Sequence, residues 1–217
     1  MAKFITADDA ATLINDNDTI GISSFTALSM AEDLIVGIRD RFLKEGHPRD
    51  LSIFHCSGVG DYKTRGLSHF AHEGLVRRIY GAHAAPYPLL SPMMSDGRIE
   101  TYMVPQGVCS HLTRAMAGGE DGLLTKVGLN TYADPRIDGC KINSSCKDDI
   151  VELVTIDGKE MLFYKAFPIN ACLLKASLAD EDGNISCDYE PLLLEQLEMA
   201  AATHRWGGEV FVQVHKI

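Results

Sequence analysis

"RIETYMVPQGVCSHLTRAMAGG" (residues 98–119) decides the fold class, because its two ends follow different rules. Residues 98–104 read as a strand, and 107–119 as a helix with glycines at its end. Between them lies Pro105-Gln106-Gly107. Pro105 fixes the turn, and Gly107 lets another group approach the backbone closely. Gln106 then stands at the strand's carboxyl end, with a carboxamide that both donates and accepts. An uncharged donor there suits a developing oxyanion on a carbonyl substrate. Taken by themselves, these residues fit an ordinary strand-to-helix turn better.

The same alternation runs through the rest of the chain. Thr6 caps a helix to about Asn15, with Asp9 completing an acidic capping box. Residues 18–23 form a strand. Residues 28–46 are helical, with Met30, Leu34, Ile38 and Phe42 recurring every four and Gly46 as the stop. Residues 51–57 form a strand, 67–78 a helix, and a short strand follows near Ile79. Residues 120–150 read as loop. Residues 150–167 make a hairpin around Asp157-Gly158. Residues 171–187 read strand, turn, strand; Pro191 opens a helix to 205, and 209–214 is the last strand.

Strands alternating with helices predict an α/β fold, an open and mostly parallel sheet with helices on both faces and an antiparallel hairpin appendage. Ligands in such sheets bind at the carboxyl ends of strands. The turns to search are therefore 23–26, 57–61, 81–85 and 104–108.

Composition narrows the function. The chain has 217 residues, 46% of them hydrophobic, enough for one core. Its net charge of −10 argues against nucleic acid as a partner. No apolar run reaches membrane-spanning length, and the N-terminus lacks a secretory pattern. The six cysteines are irregularly spaced, without Cys-x-x-Cys, and read as reduced core thiols in a cytosol.

"HFAHEG" (69–74) raises the question of a metal. On a helix, His69, His72 and Glu73 share one face, opposite Leu67, Phe70, Ala71, Gly74 and Leu75. A catalytic zinc wants three protein ligands, and the helical arrangement is His-Glu-x-x-His. Here the glutamate lies outside the pair and no cysteine cluster is near. The polar side of an amphipathic helix is the reading favoured, and no metal is expected.

Eight blocks in order carry a resemblance: "FITADDAATLINDNDTI", "RFLKEGHPRDLSI", "FAHEGLVRRIYGAH", "YMVPQGV", "TKVGLNTYADPR", "DDIVELV", "LFYKAFPINACLLKASLADEDGNI" and "GGEVFVQV". The chain resembles the N-terminal (alpha) half of the class I coenzyme A transferases, in the propionate/acetate and 3-ketoacid branch. The resemblance spans residues 1–217 as one alpha domain. It implies the open sheet shared with ribose-phosphate isomerase and glucosamine-phosphate deaminase relatives. It implies transfer of CoA from an acyl-CoA to a small carboxylic acid, with CoA as substrate and no further cofactor. In the family a glutamate attacks the thioester and becomes a glutamyl-CoA thioester, giving ping-pong kinetics.

The family's Pro-Gln-Gly glutamine lines the acyl pocket and falls on Gln106, with Gly107 as its close-approach partner. The Gly-Gly-Phe turn falls on Ser23, Ser24 and Phe25, where two serines stand for glycines; their hydroxyls could bond a carboxylate instead. The turn at 57–61, with Gly58, forms another cleft wall. Gly139-Cys140-Lys141 departs from a commoner second glycine. The nucleophilic glutamate belongs to the beta half, in a Glu-x-Gly motif, and this sequence contains no counterpart of that half. Glu73 is the nearest local mimic. The resemblance thus implies a beta subunit or C-terminal half as partner, a homo-oligomer, and CoA contacts made mainly by the other half.

A non-catalytic acyl- or CoA-binding module is the alternative. A sugar-phosphate isomerase would need a phosphate loop that the sequence lacks. His83, after a strand, reads as structural. Arg136 reads as paired with Asp134, Glu190 as favoured at a helix start, and Trp206 as helix-end packing.

Overall fold

The computed structural model describes residues 2–217. Its centre is a parallel sheet of β1 (Thr19–Ile22), β2 (Leu51–His55), β3 (Val76–Gly81), β4 (Glu100–Met103) and two later strands. A second sheet holds β5 (Gly122–Thr125), β6 (Val151–Ile156) and β7 (Lys159–Lys165). The chain then returns to the first sheet as β8 (Ala171–Lys175), makes a two-strand ladder of β9 (Leu178–Ala179) and β10 (Ile185–Ser186), and ends as β11 (Glu209–Gln213). The central order is β11-β8-β1-β2-β3-β4, every pair parallel. The chain steps from β1 toward β4 and later returns to the other side of β1, so the order reverses between β1 and β8.

Period-2 alternation splits the strands between two cores. Ile20, Ile22, Leu51, Ile53, Ile79 and Leu173 face α1 (Ala7–Thr12) and α2 (Glu32–Glu45). Phe54, Tyr80, Tyr102, Cys172 and Leu174 face α4 (Gln106–Gly118), α5 (Gln196–Arg205) and the β5-β7-β6 sheet. A short α3 (Ser91–Ser95) sits on the first face through Met93 and Met94. Helices therefore cover both faces of the sheet, as the alternation predicts.

The local signals explain the ends of these elements. Thr6 and Asp9 form a reciprocal capping box, although the helix stops at Thr12. Gly46 and Gly119 end α2 and α4 in the left-handed conformation that glycine adopts without a Cβ penalty. Asp157 and Gly158 both have positive φ, the primed-turn geometry whose twist matches the two strands it joins.

Several expectations are corrected. Residues 67–78 are not a helix: a 3₁₀ turn runs Gly66–Phe70, and β3 begins at Val76. Gly66 and Gly74 have positive φ and bracket the segment, while Leu67 N–H bonds Val59 O at 3.1 Å. Leu67, Phe70 and Leu75 are fully buried all the same, so the apolar spacing reflects a cap over the core. Residues 120–150 contain β5, which pairs with β7. The last helix begins at Gln196, because Leu192 O accepts from Ser29 Oγ and Glu195 is hydrogen-bonded to Ser110. Among the described residues, no helix is long and apolar enough to cross a membrane. Each of the six cysteines is free, and all but Cys187 are buried.

Candidate active site

Gln106 is the first residue of α4, directly beyond the carboxyl end of β4. Pro105 in extended geometry (ψ 131°) turns the chain there, so the positive end of a 13-residue helix dipole sits at the carboxyl edge of the sheet. Parallel pairing sets Gly81 opposite Met103, which brings the loop after β3 beside the turn after β4. His83 in that loop meets Gln106, with Nε2 and Oε1 2.9 Å apart.

The loop after β3 is held from below. A Cβ on Gly58 would lie 2.5 Å from Pro86 Cγ and 3.3 Å from His83 Cβ, so only glycine lets the two turns touch. A Cβ on Gly81 would lie 2.1 Å from the His55 ring. His55 is fully buried, and its Nε2 is 3.1 Å from the Tyr87 hydroxyl. Burial drives its pKa down to about 4, so the ring is neutral. Cys56, next to it, is pushed up to about 12 by burial and is no thiolate nucleophile.

The turn after β1 joins the same edge. Thr26 N–H donates to Gly58 O at 2.7 Å, and Gly60 N–H donates to Thr26 O at 3.0 Å. A continuous line of contacts thus runs from Phe25-Thr26 through Gly58 and His83 to Gln106. Phe25 is exposed at this rim. Ser24 keeps its hydroxyl within its own turn, since it donates to Thr26 O at 2.8 Å. Ser23 is buried, and its hydroxyl has no partner among the described residues. Ser23 and Ser24 sit three strands from β4, about 14 Å at ordinary strand spacing. The carboxyl edge therefore carries Phe25, Gly58 and Gln106 in one row, with Phe25 as many strands from β4 as the serines, whose hydroxyls lie buried beneath that edge. Gly107 is exposed, and a Cβ there would meet nothing within 4 Å, so the chain's own atoms do not require a glycine.

Glu73 lies elsewhere. It precedes β3, at the amino end of the sheet, while Gln106 follows the carboxyl end of β4. The six residues of β3 separate the two edges by roughly 16 Å. His72 and Glu73 leave the helical face expected for them. His69 Nε2 is 3.0 Å from Glu32 Oε1, and its Nδ1 is 2.7 Å from Arg39, which ties the 3₁₀ turn to α2.

From the sequence alone, His83 reads as structural and Lys175 is not singled out. His83 was legible as a histidine in a post-strand loop, but its bond to Gln106 depends on strand register. Lys175 ends β8 at the point where strand order reverses and is buried; desolvation lowers its pKa against the opposing pull of Glu190 and Asp33. Glu190 is not at a helix start. Its Oε1 is buried without a hydrogen-bond partner among the described residues, 3.7 Å from His215 Nε2. Arg136 pairs with Asp134 at 2.7 Å and with Glu160 at 3.1 Å, a structural bridge. Trp206 follows α5 and is about half exposed.

This architecture has known counterparts. Residues 4–217 match the coenzyme A transferase family. The chain is 39% identical to a caffeate CoA-transferase of Acetobacterium woodii over 214 residues, which is 99% of this chain and 41% of that protein. It is 27% identical to a probable coenzyme A transferase subunit alpha of Bacillus subtilis, covering 95% of this chain and 81% of the subunit. A crystal structure of the Escherichia coli O157:H7 acyl-CoA transferase YdiF, described as a thioester complex with CoA, superposes with a TM-score of 0.94 at 33% identity, over 98% of this chain and 42% of that one. The chain thus spans about two fifths of the longer relatives. With a family match across nearly its whole length and the parallel sheet of those enzymes, the chain belongs to the coenzyme A transferase family.

Proposed function

We propose that this chain is the alpha part of a short-chain acyl-CoA:carboxylate CoA-transferase, acting on acetate-, propionate- or 3-ketoacid-sized acids. One observation carries the reading: the Pro-Gln-Gly turn presents Gln106 at an open carboxyl edge, in a chain that matches CoA-transferases along its whole length. The likeness to an alpha subunit and the two-fifths coverage of longer relatives support a beta half that completes the site. That half supplies the nucleophilic glutamate and most CoA contacts. The assembly is a homo-oligomer of such pairs, working in the cytosol, with CoA as substrate and no cofactor.

In this mechanism the glutamate of the beta half attacks the acyl-CoA carbonyl carbon, and the CoA thiolate leaves. The resulting mixed anhydride is attacked by that thiolate at the glutamyl carbonyl, which releases the first acid and leaves a glutamyl-CoA thioester. The incoming acid reverses both steps. At each addition the reacting carbonyl oxygen gains charge, and a Gln106 N–H donor stabilises it. The crystallised thioester complex of YdiF supports this route.

The test mixes this chain with a complementary beta half, an acyl-CoA and acetate, and follows acyl exchange by mass spectrometry, with the chain alone run in parallel. Exchange in the mixture only, with a CoA-sized adduct on the beta half, is expected. Turnover by the chain alone would refute the division of labour, and silence in both would favour a non-catalytic acyl- or CoA-binding module. In the active mixture, Glu73→Gln should leave turnover within about twofold, as for a surface change remote from the chemistry. A hundredfold loss would return Glu73 to the site.

A further inference from the structure

Gln106 has two faces that do opposite things. Its NH₂ donates and its carbonyl oxygen accepts, so rotating the amide by half a turn converts a helpful group into a repulsive one. The ligands of the proposed reaction present oxygen acceptors at the reacting centre: the thioester carbonyl and the carboxylate of the incoming acid. Only the NH₂ face stabilises either. Something must therefore choose between the two orientations.

We infer that His83 is a positioning residue that holds the Gln106 carboxamide with its NH₂ end toward the cleft. This rests on the reading that Gln106 contacts the acyl group. The imidazole Nε2 faces Gln106 Oε1 at 2.9 Å. An oxygen only accepts, so Nε2 carries the proton in this pair. Both the Nε2–H tautomer and the imidazolium meet that condition, and only the Nδ1–H tautomer would invite the opposite rotation.

The placement of His83 supports a dedicated role. The residue is exposed and contributes nothing to either core, and its bond to Gln106 is its one side-chain hydrogen bond among the described residues. Its backbone is nonetheless firmly seated. Gly58 allows Pro86 and His83 to press against the preceding turn, and Tyr87 anchors the loop to buried His55. The ring thus projects from a rigid mount onto the first residue of α4. An exposed histidine held in this way, on the one amide at the carboxyl edge of β4, is explained by what it does to that amide.

Two measurements test this. On the 217-residue chain, long-range ¹⁵N–¹H correlation spectra should show His83 with its proton on Nε2. A dominant Nδ1–H form, or free averaging between tautomers, would overturn the inference. In the assembled enzyme, His83→Ala should lower kcat about tenfold with KM within about twofold, the pattern of a lost transition-state interaction. His83→Gln, which can still donate, should recover most of the loss. Combined with Gln106→Ala, the His83→Ala change should add nothing, because both act through one group. Multiplying effects, or a rise in KM alone, would show that His83 acts elsewhere. If the wild-type assembly exchanges no acyl group, the transferase reading fails, while the spectra still decide the orientation of the amide.

Discussion

Replacing Gln106 by alanine should lower kcat/KM of the assembled transferase by about 100- to 1000-fold, the range for losing one preorganised oxyanion donor. The loss should fall on kcat, because the donor matters most when the carbonyl oxygen carries charge. Stability should barely change: Gln106 is only partly buried, and its one side-chain hydrogen-bond partner among the described residues is His83 at the surface. The fold around it rests on Val108, Cys109 and Leu112, which the substitution does not touch. Gln106→Glu sharpens the test. It keeps the shape and replaces the donor with a negative acceptor, so it should be worse than alanine despite being closer in size. Steady-state kinetics with one acyl-CoA and acetate measure both. A loss under fivefold for alanine, or a glutamate variant more active than alanine, would remove Gln106 from the chemistry.

The second large effect is on acid stability. His55 is buried neutral, with a pKa near 4 against an ordinary 6.5. Between those values the unfolded chain binds the extra proton and the folded chain does not. Stability therefore falls as pH drops from 6.5 toward 4, and this contribution is fully lost below the lower value. The gap corresponds to about 3 kcal/mol. Urea unfolding at pH 7 and pH 4 should show that loss for the wild type. The His55→Gln variant keeps a donor for Tyr87 without titrating, and should lose correspondingly less over the same interval. Equal pH dependence in the two proteins would mean that His55 is not the acid-sensitive group. Asp16, Asp61 and Asp96 have depressed pKa values and titrate below the window, whereas burial raises Asp18 toward it with the opposite sign, so the difference between wild type and His55→Gln, rather than the wild-type slope, isolates His55.

The sheet was legible because its signals are local. Asp157-Gly158 names a primed turn, Gly46 and Gly119 name helix ends, and Pro105-Gln106-Gly107 names a strand-to-helix crossing. The 67–78 segment was misread because its apolar spacing fits a helix while its shape is imposed from outside. Glu32 and Arg39 hold His69, and two left-handed glycines break the run. β5 was missed since four residues carry too little periodicity, and its existence depends on pairing with β7, which follows much later in the chain (Gly122 with Lys165, Thr125 with Leu162). The site shows the same division. The turn that carries Gln106 could be read from its own neighbours, though its role came only with the family resemblance; the His83 bond requires the register of β3 against β4, and the retreat of Ser24 requires the backbone oxygens it bonds. What depends on adjacent residues is readable in the chain; what depends on strands meeting is not.

The position of β1 has a consequence for how the protein is made. Ile20 pairs with Ile53 on one side and with Ala171 on the other. A ribosome therefore delivers one neighbour early and the other more than a hundred residues later. At roughly 5–20 residues per second, the nascent chain keeps the far edge of its central strand unpaired for on the order of 10 s. An open apolar edge of that kind recruits other nascent strands. Chaperone demand during synthesis should thus be highest between the emergence of β2 and that of β8, and should fall sharply once Ala171–Lys175 clears the exit tunnel.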